Sequence, residues 1–390
     1  MSFDFDQTIS REGTDSVKYD GRIAYFGTAD VTPLWVADMD FAAPLAVTAA
    51  LAARAAHPIY GYTRYPDSLY DALIGWMQQR HGWTIKREWI VMCPGVVPSL
   101  HAAVMAFARP GEAVIVQPPV YFPFFSAVTS SARQLVENPL QLIDGRYRID
   151  FDHLEQCAAN GAKLLLLCSP HNPVGRVWQP DELAQILRIA REYELVVLSD
   201  EIHADLIYPD QHHTVMATLA DELDRLITAV APSKTFNIPG LGLSCLIIPN
   251  PEVRAAIGTV FTSQHVNASN PFSIVAFETA YREGGAWLEA LMTYLQDTRD
   301  FVLGYVREHL SGIRAIFPEG TYLLWLDCRD MQLSDIALRD FFIHQARLGM
   351  NPGTVFGTGG SGFMRLNLAS PRHVILAALR RVSQAQGLSG

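Results

Sequence analysis

Short apolar runs recur between about residues 89 and 250, and each is bounded by Pro, Gly or polar residues. Runs this short that are apolar throughout are typical of strands buried on both faces of a sheet. Several intervening segments predict amphipathic helices, as over 180–193, where Leu183 and Leu187 fall on one face. Alternating strands and helices predict a mostly parallel, doubly wound sheet. The expected strands span 89–93, 113–116, 163–168, 195–198, 226–230 and 243–248.

The pattern changes after about Glu278. A long helical stretch over 286–309 is followed by alternating segments over 321–327 and 363–369, which predict a second, smaller α+β unit. The first forty residues lack strong periodicity and are assigned to the same unit. We therefore expect a large α/β domain over residues 45–282 and a small domain formed by residues 1–44 and 283–390.

Charge and cysteine usage exclude several classes of protein. The formal net charge of -10 argues against a nucleic-acid partner, because such proteins concentrate Lys and Arg to neutralise phosphates. The acidic N-terminal segment does not resemble a signal peptide and the apolar runs are too short to cross a bilayer, so we expect a cytoplasmic protein without a membrane partner. The cysteines are odd in number and widely spaced, which predicts buried thiols rather than disulfides or a zinc site. They are Cys93, Cys157, Cys168, Cys245 and Cys328.

No metal site is expected elsewhere. His212 and His213 are adjacent, but no third ligand lies near them in the sequence. Both are therefore predicted to be surface residues.

Ligands in an open parallel sheet bind where the strands end, because loops and helix N-termini surround a crevice at that edge. The chain has four lysines. Lys18 falls in the irregular N-terminal region, Lys86 falls in a polar turn, and Lys163 precedes its strand and so lies at the opposite edge of the sheet. Only Lys234 emerges at the edge of the sheet where ligands bind, in the segment that follows the predicted strand over 226–230. A solvated surface lysine is the alternative interpretation of a single such residue. The segments expected at this edge are 93–97, 117–121, 169–173, 199–201 and 231–234.

Two of these segments could hold a charged ligand. Asp200 follows a buried strand, where a desolvated carboxylate needs a cation or strong donor, such as the protonated ring nitrogen of pyridoxal 5′-phosphate (PLP). A helix N-cap is its alternative role. Over 95–100, a Gly turn followed by Pro98 predicts a helix N-terminus that presents backbone N–H groups to a phosphate.

Three further side chains have a functional and a structural interpretation. Tyr121 could stack on a flat ring or pack in the core. Asn172, between two prolines, could donate to a ring hydroxyl or simply belong to a turn. Arg365 could bind a substrate carboxylate through its planar fork, or lie on the surface of an edge strand.

These segments resemble a known group of enzymes. Ser169–Gly175, Ser199–His203 and Ser233–Asn237 occur in the order found in fold-type I PLP-dependent enzymes, the aspartate aminotransferase-like fold. Together with Trp35–Phe41, Tyr60–Thr63 and the extension to Asp205, the chain resembles the MalY/PatB-type cystathionine β-lyases over nearly its whole length.

The resemblance implies a role for each matching position. Lys234 would carry PLP as a Schiff base and act as the catalytic base, with Asp200 on the pyridine nitrogen and Asn172 on the ring hydroxyl. Tyr121 would stack on the ring, Arg365 would bind the substrate carboxylate, and Ala37 would lie beside the substrate. Backbone N–H groups of Val96 and Val97, with Ser233, would hold the phosphate, and His203 would lie near the ring hydroxyl. Tyr62 would reach the phosphate in the neighbouring subunit of a homodimer with shared active sites.

Two departures from the wider aminotransferase pattern concern the phosphate. Position 231 is Ala where many relatives have a hydroxyl residue, and position 242 is Gly where aspartate-type enzymes have Arg. Fewer side chains are then expected to hold the phosphate, and Ser233, Tyr62 and the helix N-terminus would contribute more.

The resemblance predicts a carbon–sulfur β-lyase of amino-acid metabolism. It would convert cystathionine or cysteine-type L-amino acids to pyruvate, ammonia and a thiol, which is homocysteine in the case of cystathionine. A PLP-dependent aminotransferase is the first alternative, since it shares the cofactor and the lysine. A regulatory relative that binds another protein and retains the PLP site is the second.

Overall fold

The computed structural model describes residues 3–387. Its largest sheet has seven strands in the order β1-β7-β6-β5-β4-β2-β3, and β7 alone runs antiparallel to its neighbours. The strands are β1 (Ile90–Cys93), β2 (Ala113–Val116), β3 (Gln134–Glu137), β4 (Leu164–Cys168), β5 (Val196–Asp200), β6 (Leu226–Val230) and β7 (Ser244–Ile247).

Helices connect these strands and continue beyond them. The longer ones are α1 (Leu45–Ala56), α2 (Asp67–His81), α3 (Val96–Phe107), α4 (Pro123–Thr129), α5 (Phe151–Ala159), α6 (Pro180–Glu192), α7 (Pro251–Ser263), α8 (Pro271–Glu283), α9 (Gly285–His309) and α10 (Arg372–Ala385). Across residues 3–387, no helix combines the length and the apolar character needed to span a bilayer.

The central strands of the large sheet are buried on both faces, and β4 is apolar at every position. Along β4, Leu165 and Leu167 belong to one core, whereas Leu164 and Leu166 belong to a second core on the other face. This alternation follows from the period-two direction of strand side chains. It explains why the strand sequences form continuous apolar runs.

A smaller antiparallel sheet has the order β8-β9-β11-β10. Its strands are β8 (Arg314–Ala315), β9 (Leu323–Asp327), β10 (Asn351–Pro352) and β11 (Phe363–Asn367). One face packs on α9 and α10 through a third core. The N-terminal residues Thr32–Pro33 pair in parallel with Leu348–Gly349.

The strand predictions hold closely in the large sheet. The bounds of β2 and β6 are as predicted, and the other predicted strands lie within two residues of the observed ones. The edge strand β3 was missed, because Gln134 is exposed and its neighbours are only half-buried. An edge strand of this kind does not produce an apolar run.

Candidate active site

A cavity of about 230 Å³ opens at the carboxyl ends of the parallel strands. Its wall includes residues from the segments that follow β1, β2, β4, β5 and β6, as expected for a sheet of this topology. The lining residues are Ala37, Pro94, Gly95, Val96, Val97, Pro98, Leu100, Tyr121, Cys168, Asn172, Asp200, Ile202, His203, Ala231, Ser233, Lys234, Pro239, Gly242, Leu243 and Ser244.

Lys234 enters this cavity from a single helical turn, Pro232–Thr235, that directly follows β6. Its Nζ donates a hydrogen bond to Ala37 O at 2.6 Å. Burial lowers the pKa of Lys234 to about 8, with Asp38 and Asp200 opposing the shift and Arg365 adding to it. A substantial fraction of the amine is therefore neutral near pH 8.

Asp200 is buried at the end of β5. Its Oδ1 accepts a hydrogen bond from Ile202 N–H at 3.2 Å. Burial raises the pKa of this carboxyl to about 7, although the Ile202 N–H and the charge of Lys234 oppose the shift. A carboxylate at this depth gains most from a cationic partner in the cavity.

One end of the cavity is suited to an anion. Gly95 precedes α3 with φ +123° and ψ 162°, a backbone conformation that residues with a Cβ rarely adopt. Val96 and Val97 form the first turn of α3, where backbone N–H groups have no partner within the helix. Ser233 and Ser244 also line the cavity.

The two departures from the aminotransferase pattern also lie here. Ala231 and Gly242 both line the cavity, and Gly242 has φ +61°. A Cβ at Gly242 would come no closer than 3.9 Å to Pro94 O, so the left-handed backbone rather than space disfavours a larger residue. Ser244 was not identified from the sequence, because it lies inside a predicted strand, over 243–248, and matches no motif.

Arg365 is buried in β11 and connects the two sheets. Its Nη1 donates to Asn172 Oδ1 at 3.0 Å, and its Nη2 donates to Trp35 O and Asn351 Oδ1 at 2.9 and 2.8 Å. Nε is buried without a partner among the described residues. Burial lowers the pKa of Arg365 to about 10, a value at which the guanidinium stays charged near neutral pH.

His203 and Tyr121 complete the predicted wall. His203 is buried, its Nδ1 has no partner among residues 3–387, and burial lowers its pKa to about 3. Its ring is therefore neutral and can supply an uncharged donor or acceptor. Burial also raises the pKa of Tyr121, which keeps its hydroxyl protonated.

Of the two remaining predicted site residues, Ala37 lines the cavity and Tyr62 does not. Ala37 lies in the cavity wall, and its carbonyl accepts from Tyr322 Oη at 2.9 Å as well as from Lys234. Tyr322 had no sequence motif that could reveal it. Tyr62, by contrast, lies outside this cavity, and its side chain is fully exposed in the single chain.

The prediction that His213 lies on the surface was wrong. His213 is buried, and its Nε2 lies 2.8 Å from Glu201 Oε2. The polar sequence around it does not reveal Glu201 as the hydrogen-bonding partner that folding supplies. In the part of the chain that the structure describes, no group of three His, Cys, Asp or Glu residues is arranged to hold a metal ion. The predicted buried cysteines are all buried and free.

The chain is similar over nearly its whole length to several known proteins. Cystathionine beta-lyase PatB of Bacillus subtilis (strain 168) is 42% identical over 383 residues, which cover 98% of this chain and 99% of PatB. Protein MalY of Escherichia coli (strain K12) is 32% identical, and the match covers 95% of each chain. Cystalysin from Treponema denticola, whose crystal structure contains a PLP cofactor, has a TM-score of 0.96 at 38% identity, covering 99% of each chain.

The resemblance and the α/β fold class predicted from the sequence are thereby confirmed. The model of the family described as aminotransferase class I and II matches residues 29–382, which is most of the chain. The protein belongs to the aminotransferase class I and II family.

Proposed function

We propose that this protein is a PLP-dependent carbon–sulfur β-lyase that acts on L-amino acids with sulfur on Cβ. The observation that carries the proposal is the joint position of Lys234 and Asp200 in one cavity, with Arg365 beside it at Asn172. Full-length similarity to cystathionine beta-lyase PatB favours lyase activity over amino-group transfer. Cystathionine is the substrate class that this similarity suggests.

The cavity fits PLP on its own chemistry. Asp200 is a buried carboxylate with a raised pKa, and it suits a protonated pyridine nitrogen. The turn over Gly95–Val97, with Ser233 and Ser244, suits the phosphate.

The cavity also contains groups suited to the hydroxyl and to the flat face of the PLP ring. Asn172 and His203 have polar atoms for the ring hydroxyl, and the unpartnered His203 Nδ1 leaves one such atom available. Tyr121 supplies a flat surface in the cavity wall. These assignments agree with those that the sequence resemblance implied.

When bound, PLP supplies an electron sink for negative charge at the α-carbon of an amino acid. The chain supplies the proton transfers. Lys234 Nζ, with its pKa near 8, accepts the Cα proton. It then donates that proton to the sulfur as the Cβ–S bond breaks and the bonding electrons pass to sulfur, so the product leaves as a thiol. Released 2-aminoacrylate takes up water and gives pyruvate and ammonia.

Arg365 and Ala37 orient the substrate in this mechanism. The Arg365 guanidinium has an unpartnered Nε and a charge retained despite burial, both suited to a carboxylate. The carbonyl of Ala37 holds Lys234 Nζ within 2.6 Å.

The proposal extends to assembly and location. We infer a homodimer in which Tyr62 of each chain contributes to the phosphate site of the other, because the Tyr62 side chain projects fully exposed from a segment without regular structure. The division into domains over 45–282 and over 1–44 with 283–390 stays a proposal, as does cytoplasmic location.

The decisive experiment measures pyruvate release from L-cystathionine with added PLP and no keto acid. Sustained pyruvate formation, with homocysteine in equal amount, is the expected result. Absence of pyruvate together with amino-group transfer to an added keto acid would instead identify an aminotransferase. A protein partner recovered in stoichiometric amount, whose binding survives Lys234→Ala, would support the regulatory alternative.

A further inference from the structure

Asp205 is a buried carboxylate outside the cavity, and the proposed mechanism does not use it. Three side chains donate hydrogen bonds to it: Trp76 Nε1 at 3.0 Å, His81 Nε2 at 2.9 Å and Thr235 Oγ1 at 2.8 Å. Trp76 and His81 belong to α2, whereas Thr235 is the residue that follows Lys234. One carboxylate therefore connects α2 to the turn that carries the lysine.

This carboxylate is charged in the folded protein. Burial alone would raise the pKa of Asp205, but the hydrogen bond and charge of His81, with the hydrogen bonds of Thr235 and Trp76, lower it below its ordinary value. Buried charges of this kind seldom stabilise a protein more than apolar residues of similar size. Their hydrogen bonds do, however, fix the direction of the groups that donate to them.

The turn that carries Lys234 needs such support. It spans only Pro232–Thr235, and a helix this short is not stable through its own hydrogen bonds. On its C-terminal side, Phe236 is fully buried against Trp76, with ring centroids 5.6 Å apart. Thr235 Oγ1 adds a directed bond, so the orientation of the turn is defined by packing and by Asp205 together.

We propose that Asp205, acting through Thr235, is a positioning residue that holds the turn so that Lys234 Nζ points into the cavity. The inference rests on the proposed function of Lys234 and deepens it. Removal of the Thr235 hydroxyl should leave the cavity residues in place but allow the lysine to deviate from its working direction. Displacements of about 1 Å from such distant changes can reduce rates by about 100-fold.

The test compares three threonine variants. Thr235→Val removes the hydroxyl with little change of shape, and Thr235→Ser retains it. Thr228→Val is the matched control, because Thr228 lies fully buried in β6, the strand that leads to Lys234, and its Oγ1 has no partner among the described residues. The readouts are the rate at which protein stripped of cofactor takes up PLP, kcat and KM for L-cystathionine, and the melting temperature.

We expect Thr235→Val to lower both the rate of PLP uptake and kcat by about tenfold, with KM changed less than twofold. Thr235→Ser should restore both rates, and Thr228→Val should match the wild type. If Thr235→Val does not fold, Thr235→Ala replaces it, because alanine also removes the hydroxyl.

The outcomes separate this inference from the proposed function. A lower melting temperature for Thr235→Val with unchanged uptake rate and kcat would overturn the positioning role and leave only a structural one. Wild-type protein that does not take up PLP would remove the proposed function itself.

Discussion

Arg365 Nη1 donates to Oδ1 of Asn172 at 3.0 Å, and this bond joins β11 of the small sheet to the loop that follows β4 of the large sheet. The two residues are 193 positions apart in the sequence. Their contact places the guanidinium that we propose to bind the substrate carboxylate beside a cavity formed by the large sheet. The same guanidinium thus takes part in the packing of the two sheets and, in the proposed mechanism, in substrate binding.

Arg365→Lys should weaken substrate binding, because lysine cannot reproduce the planar fork that spans Asn172 and Asn351. We expect KM for L-cystathionine to rise by about 10- to 100-fold, as for loss of a charge-assisted hydrogen bond of about 1.5–3 kcal/mol. Arg329→Lys is the control, since its fork to Asp327 is half-exposed and lies outside the cavity. Equal KM values for Arg365→Lys and wild type would contradict the assignment.

Lys234→Ala should abolish the attachment of PLP and remove the base. We expect kcat to fall by about 100- to 10,000-fold, the usual contribution of a general base, and the visible absorbance of the holoenzyme to change. Lys163→Ala provides the comparison, because Lys163 is exposed and precedes β4 at the opposite edge of the sheet. Pyruvate assays and absorbance spectra measure both effects, and full activity in Lys234→Ala would rule out its role.

Asp200→Asn should stabilise the protein without cofactor at pH 8. The pKa of Asp200 is raised from 3.8 in the unfolded chain to about 7 in the folded chain. The contribution of the protonated carboxyl to the unfolding free energy is therefore fully present below pH 3.8, and it is lost as the pH rises to about 7. The unfolding free energy of the wild type falls by about 4 kcal/mol over this range. Asn does not ionise, so the variant does not lose this stability. Urea unfolding at pH 4 and pH 8 should show a variant advantage only at the higher pH.

Bound PLP should make the wild type more stable than Asp200→Asn, the reverse of the order expected without cofactor at pH 8. Asp200 can then pair with a protonated ring nitrogen, which Asn cannot do with full charge. PLP should therefore raise the melting temperature of wild type more than that of Asp200→Asn. An equal rise in both would count against the pairing.

Lys18→Met should destabilise the fold. Lys18 is fully buried, with its Nζ 2.9 Å from Asp40 Oδ2, and its removal leaves a buried carboxylate with less compensation. We expect a loss of about 3–5 kcal/mol in unfolding free energy. Lys86→Met, which removes an exposed ion pair with Glu222, should cost at most about 1 kcal/mol. Asp40 also pairs with Arg11, whose Nη1 lies 2.9 Å from Asp40 Oδ1. Similar values for the two variants in urea unfolding would show that Arg11 compensates fully for the loss of Lys18.

Mixing two inactive variants tests the shared active site. Tyr62→Ala and Lys234→Ala each affect one component, so a hybrid dimer should contain one site with both native residues. We expect activity to appear after subunits are exchanged, and sedimentation velocity to show a dimer. A monomer, or no gain of activity on exchange, would argue against a role for Tyr62 across the interface.

The sequence determined the architecture of the large sheet and the edge where the site lies. Strands such as β2 and β6 are recognisable locally, because burial on both faces favours a nearly continuous apolar run. Lys234 was identified because β6 is recognisable, since the lysine lies in the short turn that follows this strand. Edge strand β3, only half-buried, gave no such signal.

Only the tertiary structure decided which polar groups are buried and which groups they contact. Lys18 and His213 lie in polar stretches, yet folding buries each beside a carboxylate. The bonds from Thr235 to Asp205 and from Tyr322 to Ala37 join residues that are 30 and 285 positions apart. Apolar burial follows from local composition and periodicity, whereas a buried charge is tolerated only where a partner from another part of the chain satisfies it.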